Sequence, residues 1–99
     1  MVSSPTAVHP PAKSAPYAVG KAAQEALILA LVQEVKDAGV TANILQVRTI
    51  DAKHERDRQP TLKNASWTTP EKILSAILYL CTDESQVVNG ARIPLFGAD

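Results

Sequence analysis

The sequence predicts an α/β fold, part of a doubly wound parallel sheet in the order strand tail, helix, strand, helix, strand. Three observations predict it. A long helical run from Ser14 to Asp37 leads into an apolar, β-branched stretch from Val40 to Ile50. A second helical run opens at Thr68 or Thr69, and a short apolar stretch from Ala91 to Phe96 closes the pattern. Helices alternating with buried-type strands are the mark of right-handed parallel crossovers.

The first segment, residues 1–13, holds Pro5, Pro10 and Pro11 and has no helical period, so it reads as a strand tail, Met1-Val2-Ser3, running into a loop. Ser14 is placed to cap the first helix, Pro16 is tolerated in a first turn, and Gly39 stops the run. Ala22, Ala23, Ala26, Leu27, Leu29, Ala30, Leu31, Val32 and Val35 cover more than one narrow stripe of that helix. Burial on two sides is therefore expected. One side meets a sheet; the other, rich in alanine, suits either a core neighbour or a partner subunit.

Val40 to Ile50 fits a mostly buried parallel strand. The polar segment that follows, 51–67, carries the charge run His54-Glu55-Arg56-Asp57-Arg58 and Pro60, and reads as a mobile, variable surface loop. Mixed charge runs are usually solvated, yet a loop after a strand's C-terminal end is also where open α/β sheets take ligands. Trp67 at its end either lids the core or stacks on a ligand. Thr68 and Glu71 form a capping box for the second helix, with Pro70 near its first position. Ile73, Leu74, Ile77, Leu78, Leu80 and Cys81 supply its apolar face up to about Thr82. Asn89-Gly90 makes a turn, and Pro94 puts the closing strand at or near a sheet edge.

Length and charge exclude several function classes. The 99 residues, 45% hydrophobic and 20% charged, have the balance of one globular domain spanning 1–99. A chain this short builds one small core and gains from a partner subunit or a complementary half. Ten basic and ten acidic side chains cancel, so the basic footprint of nucleic-acid or membrane binding is lacking. The longest apolar run, Ala26 to Val32, is far below the roughly 20 residues of a membrane span. No signal pattern opens the chain, and a cytoplasmic location is expected. Cys81, the single cysteine, excludes an internal disulfide framework and is expected on a buried helix face. His9 and His54 lie far apart, and no metal site is expected.

Tyr17 and Lys21 stand four apart near the start of the first helix, so their side chains project from one face. An ammonium beside a phenol favours the phenolate, which suits proton transfer. The spacing alone is weak evidence. Its surroundings add to it: Ser3-Ser4, then Tyr17-Ala18-Val19-Gly20-Lys21-Ala22-Ala23, then Gly39-Val40-Thr41-Ala42-Asn43, Thr69-Pro70-Glu71 and Asn89-Gly90-Ala91-Arg92-Ile93-Pro94-Leu95-Phe96-Gly97. Across nearly its whole length the chain resembles the C-terminal portion of the short-chain dehydrogenase/reductase family.

That resemblance implies a partial Rossmann-like sheet and an NAD- or NADP-dependent oxidoreductase of alcohols or carbonyl compounds. It makes Ser4, Tyr17 and Lys21 the catalytic residues. Tyr17 would be the general acid/base, Ser4 would hydrogen-bond the same substrate oxygen, and Lys21 would hold the nicotinamide ribose. Tyr17, Lys21 and Ile50 would contact the cofactor.

Two departures from the family pattern accompany the likeness. No Gly-rich strand-to-helix turn for the pyrophosphate occurs in the sequence, as though an N-terminal half were missing. The family's Pro-Gly, Ile and Thr after the second strand are here Val47-Arg48-Thr49-Ile50-Asp51-Ala52, which keeps only the Ile. Arg48 would crowd a nicotinamide and Ala52 offers it no hydroxyl. The alternative is an inactive remnant or an assembly module, a homo-oligomer joined through the first helix.

Overall fold

Three short strands align side by side in the computed structural model, which describes residues 1–96. They are β1 (Val2–Ser3), β2 (Ile44–Gln46) and β3 (Arg92–Pro94). All pair parallel in the order β1-β2-β3, with Ser3 opposite Gln46 and Ile44 opposite Arg92. Helix α1 (Ala15–Val35) connects the first pair; α2 (Glu55–Arg58) and α3 (Pro70–Leu80) lie between the second. The predicted alternation of strand and helix is borne out, with a one-turn helix added inside the segment 51–67.

The middle strand is the centre of the core. Ile44 and Leu45 point to opposite faces, as successive strand residues must, and both are buried. That two-sided burial explains why Ile44 and Leu45 are adjacent apolar residues within a stretch, Val40 to Ile50, rich in Val, Ile, Leu and Thr. The strand itself is shorter than the stretch. Pairing exists only where neighbours run alongside, and β1 and β3 supply few residues each.

Helix α1 stops where the sequence places the stop: a 3-10 turn, Lys36–Ala38, follows it and Gly39 takes a left-handed φ of 75°. Two other expectations for it fail. Ser14 makes no cap bond to the helix; its hydroxyl donates to the Pro11 carbonyl at 2.6 Å. Nor is α1 buried on two sides, since only Ala18, Glu25 and Val32, spaced seven apart, are buried. Leu27, at 69% exposed, and Val19, at 67%, lie on its open side.

Helix α3 is capped by Thr69, whose hydroxyl accepts from the Lys72 amide at 3.4 Å. The expected capping box from Thr68 does not form, because the Thr68 hydroxyl donates to the Leu95 carbonyl beyond β3. Cys81, expected on a buried face, is exposed at the C-terminal end of α3. The Asn89-Gly90 turn forms as expected: Gly90 has φ 68°, and the Asn89 side chain accepts from the Ala42 amide at 3.0 Å. β3 ends the described sheet on one side, where Pro94 costs no ladder bond.

Segment 51–67 is more ordered in its hydrogen bonds than its composition suggests. Its neck is closed by Asp51 N–H to the Thr68 carbonyl at 2.7 Å and Thr68 N–H to the Thr49 carbonyl at 3.0 Å. The charge run is not simply solvated. His54 meets Glu71 of α3 at 2.9 Å, and Arg56 donates to the Trp67 carbonyl at 2.7 Å.

Candidate functional site

Strand β1 ends at Ser3, so Ser4 stands at the C-terminal edge of the sheet, the edge on which open α/β sheets bind ligands. Its extended backbone caps a 3-10 turn, Pro5–Ala7, and its hydroxyl accepts from the Thr6 amide at 3.2 Å. Ser4 is buried, and its hydroxyl donates to Thr6 Oγ1 at 3.2 Å. Helix α1 packs against the same turn, which brings its first residues close to the strand end.

Tyr17 lies in the first turn of α1 and is half exposed. Lys21, one turn later, holds its Nζ 6.0 Å from the Tyr17 ring centroid, the outer limit of a cation–π contact. The same Nζ donates to the Val2 carbonyl at 3.4 Å, a long bond that carries the lysine across to β1. Helix spacing thus sets Tyr17 beside Lys21, and the bond to Val2 ties that pair to the strand leading into Ser4.

Ser4 lines a cleft of about 340 Å³ with Pro5, Thr6, His9, Pro11 and Arg48. Arg48 stacks its guanidinium 4.5 Å from the Phe96 ring centroid, so it packs against the segment after β3. Tyr17 and Lys21 do not line this cleft. Ile50 is exposed at the neck of segment 51–67, where it pairs with Thr68. Two larger clefts, about 560 and 670 Å³, lie along that segment and include none of Ser4, Tyr17, Lys21 and Ile50. Trp67 borders the second of these and is half-buried.

No protein-family model and no curated protein matches the sequence. Solved structures do. Acetoin dehydrogenase YohF from Salmonella typhimurium superposes with a TM-score of 0.79 at 19% identity, over 94% of this chain and 38% of that one. The promiscuous reductase LugOII, which catalyses keto-reduction at C1 during lugdunomycin biosynthesis, gives 0.78 at 19% identity, over 98% and 42%. The fold is a partial Rossmann-like sheet. The chain thus spans 38–42% of the length of these oxidoreductases, and the likeness is one of fold. No helix among the described residues is long and apolar enough to cross a membrane.

Two polar groups near this site escaped the sequence reading. Glu25 is 2% exposed in the middle of α1; its Oε2 accepts from Ser3 Oγ at 2.6 Å and its Oε1 from Arg92 Nε at 2.7 Å. The available signal was its place midway between Ala18 and Val32 on the helix's one buried stripe. Asp51 is 1% exposed and accepts from the Glu55 and Arg56 amides at 2.8 and 3.1 Å, opening α2. Burial pushes its carboxyl up, but those two amides and the charges of His54 and Arg56 outweigh burial and hold it below the ordinary carboxylate range. Its signal was an acidic residue three ahead of the charge run that opens at His54.

Proposed function

We propose that this chain is the catalytic portion of an NAD- or NADP-dependent oxidoreductase of small alcohols or carbonyl compounds, with Ser4, Tyr17 and Lys21 as its reacting group. The observation that carries the reading is Lys21, which sits against Tyr17 and reaches the Val2 carbonyl two residues before Ser4. A base pair of this kind, beside a serine at the ligand-binding edge of a parallel sheet, suits proton exchange with a substrate oxygen.

Of a nicotinamide dinucleotide, the residues present fit the ribose, while Arg48 beside Ser4 and Ala52 depart from the pattern expected around the ring. The Tyr17 hydroxyl and the Lys21 ammonium are the donors a ribose needs, and exposed Ile50 offers apolar contact to a ring. For the pyrophosphate there is no fit: among the described residues no glycine-rich turn leads from a strand into a helix N-terminus. The complete site therefore needs further residues, from elsewhere in a longer protein or from a partner chain. A bound nicotinamide would supply hydride to the substrate carbon in reduction and take it up in alcohol oxidation.

On this reading Ser4 donates to the substrate oxygen and stabilises its developing charge. Tyr17 gives that oxygen a proton in reduction and takes it back in alcohol oxidation. Lys21 holds Tyr17 and the ribose at once, so chemistry and cofactor share one helix turn. The reading places the protein in the cytoplasm, where both dinucleotides are at hand.

Fluorescence titration of NADH and NADPH against the purified chain and its Tyr17→Phe variant tests this directly. Saturable binding weakened by the substitution supports the reading; wild-type binding that Tyr17→Phe leaves untouched overturns the assigned role.

The second reading, an inactive assembly module, rests on α1. Its open side presents Val19, Leu27 and Leu31 among Ala22, Ala23, Ala26 and Ala30, an apolar surface of the kind that marks association. A second copy of the chain is the proposed occupant. Cofactor binding separates the two readings, because assembly through α1 suits an active oxidoreductase and an inactive module alike.

A further inference from the structure

We infer that Glu25 is a positioning residue for the Ser4, Tyr17 and Lys21 group, an inference that rests on the oxidoreductase reading given above. Tyr17, Lys21 and Glu25 follow one another at four-residue steps, so they lie along one side of α1 with a gentle drift. Successive turns of the helix then take hold of successive residues of β1. Lys21 binds the Val2 carbonyl at 3.4 Å and Glu25 binds the Ser3 hydroxyl at 2.6 Å. Ser4 is the next residue along, one peptide from the Glu25 contact.

Stability alone does not explain a carboxylate there. A buried charge must be fully hydrogen-bonded to be tolerated, and replacing a buried ion pair by well-packed apolar residues is often neutral or stabilising. What Glu25 adds is direction. An apolar contact lets a two-residue strand slide, whereas a slip of one residue would turn Ser3 to the opposite face and break a short charge-assisted bond. Arg92 of β3 holds the second carboxylate oxygen at 2.7 Å. Glu25 is therefore anchored to the far side of the sheet while it grips the near strand.

The consequence concerns distance between elements. Ser4 belongs to a strand and Tyr17 to a helix, and both have to reach one substrate oxygen. An error of about 1 Å in such a placement costs rate on the order of a hundredfold. Glu25 is the buried polar contact that ties Ser3 to the helix bearing Tyr17, and so it sets their separation without touching substrate.

The test uses the full chain with Glu25→Leu, Ser3→Ala and Ser3→Thr, each followed by amide NMR spectra and thermal unfolding. In Glu25→Leu we expect the Ser4 amide, 21 residues away in sequence, to shift and to broaden or double. In Ser3→Ala the Tyr17 and Lys21 amides should do the same. In both, the amides of Ile73 in α3 and of Ser85, which are buried away from β1 and Arg92, stay sharp and unshifted, which a general loosening of the fold would not allow. Ser3→Thr, which keeps the hydroxyl, should restore the wild-type Tyr17 and Lys21 signals. Single, unshifted Ser4, Tyr17 and Lys21 resonances in the folded variants overturn the inference. If Glu25→Leu does not fold, Ser3→Ala decides, because it leaves the Glu25–Arg92 pair in place. These signals need no turnover, so loss of the oxidoreductase reading through absent cofactor binding is seen separately. Where turnover is present, kcat falls in Ser3→Ala while KM holds.

Discussion

Arg92 Nε donates to Glu25 Oε1 at 2.7 Å, joining the last described strand to the middle of α1 across 67 residues of chain. Glu25 is buried, whereas the Arg92 side chain is 43% exposed and keeps contact with water. The cost of that geometry is asymmetric. Removing the arginine strands a buried carboxylate, but removing both charges leaves only a cavity to fill. Arg92→Ala should therefore lower unfolding free energy by about 1–3 kcal/mol, less than for a fully buried pair because the arginine side is in contact with water. Glu25→Leu combined with Arg92→Met should cost far less. Urea unfolding of the two variants checks this, and equal losses would show that the pair's charges are already screened.

The order of elements was legible in the sequence because it depends on local signals. Gly39 and Gly90 take the left-handed conformations their turns demand. Ile44 and Leu45 are buried on opposite faces, as a stretch rich in Val, Ile and Leu implies. Tyr17 and Lys21 meet because helix geometry alone puts them one turn apart. What escaped depends on distance along the chain. Glu25 in an apolar helix looks like a solvent marker until Ser3 and Arg92 fold against it. Thr68 and Thr69 are equal as caps until the Leu95 carbonyl claims the first of them. The open side of α1 reads as either core or partner surface for a related reason: hydrophobicity says a surface needs cover, not whether this chain provides it.

Asp51 couples the loop to acid. Its folded carboxyl titrates below its ordinary value, because the Glu55 and Arg56 amides and nearby positive charges together outweigh burial. A group with a depressed folded pKa stabilises above its unfolded pKa, near 3.9, and that contribution is lost as pH falls through the lower folded value. Stability of the wild-type chain should thus drop between about pH 4 and the folded pKa, and Asp51→Asn should flatten that part of the curve. Thermal midpoints across the acid range provide the measurement. An unchanged slope in Asp51→Asn would remove Asp51 as the source.

His54 sits in the left-handed region at φ 55° while its ring holds Glu71 at 2.9 Å. Two effects therefore separate by substitution. His54→Ala loses the ring contact and keeps the backbone strain, which for a residue with a Cβ is about 1–2 kcal/mol. His54→Gly loses the same contact but relieves that strain, offset in part by glycine's extra freedom in the unfolded chain. The glycine variant should be the more stable of the two, by about 1 kcal/mol or less after that offset. Equal stabilities in parallel urea titrations would mean that the loop relaxes around position 54.

The open side of α1 makes the last prediction. Leu27 is 69% exposed and Val19 67%, and Leu31 lies beside them with alanines between that allow close approach. Burying such side chains against a second copy gains about 1.5–3 kcal/mol for each leucine or valine fully covered. A two-fold contact counts every residue twice, so three such residues supply six buried side chains, set against the loss of translational freedom. The chain should therefore associate at micromolar concentration. Leu27→Lys with Leu31→Lys should shift it to monomer while leaving the fold intact, because neither leucine is in the core. Sedimentation velocity over a concentration series distinguishes the cases. A wild-type chain that stays monomeric throughout would assign that apolar face to a different occupant, and the assembly reading of α1 would fall while the Ser4, Tyr17 and Lys21 reading stood.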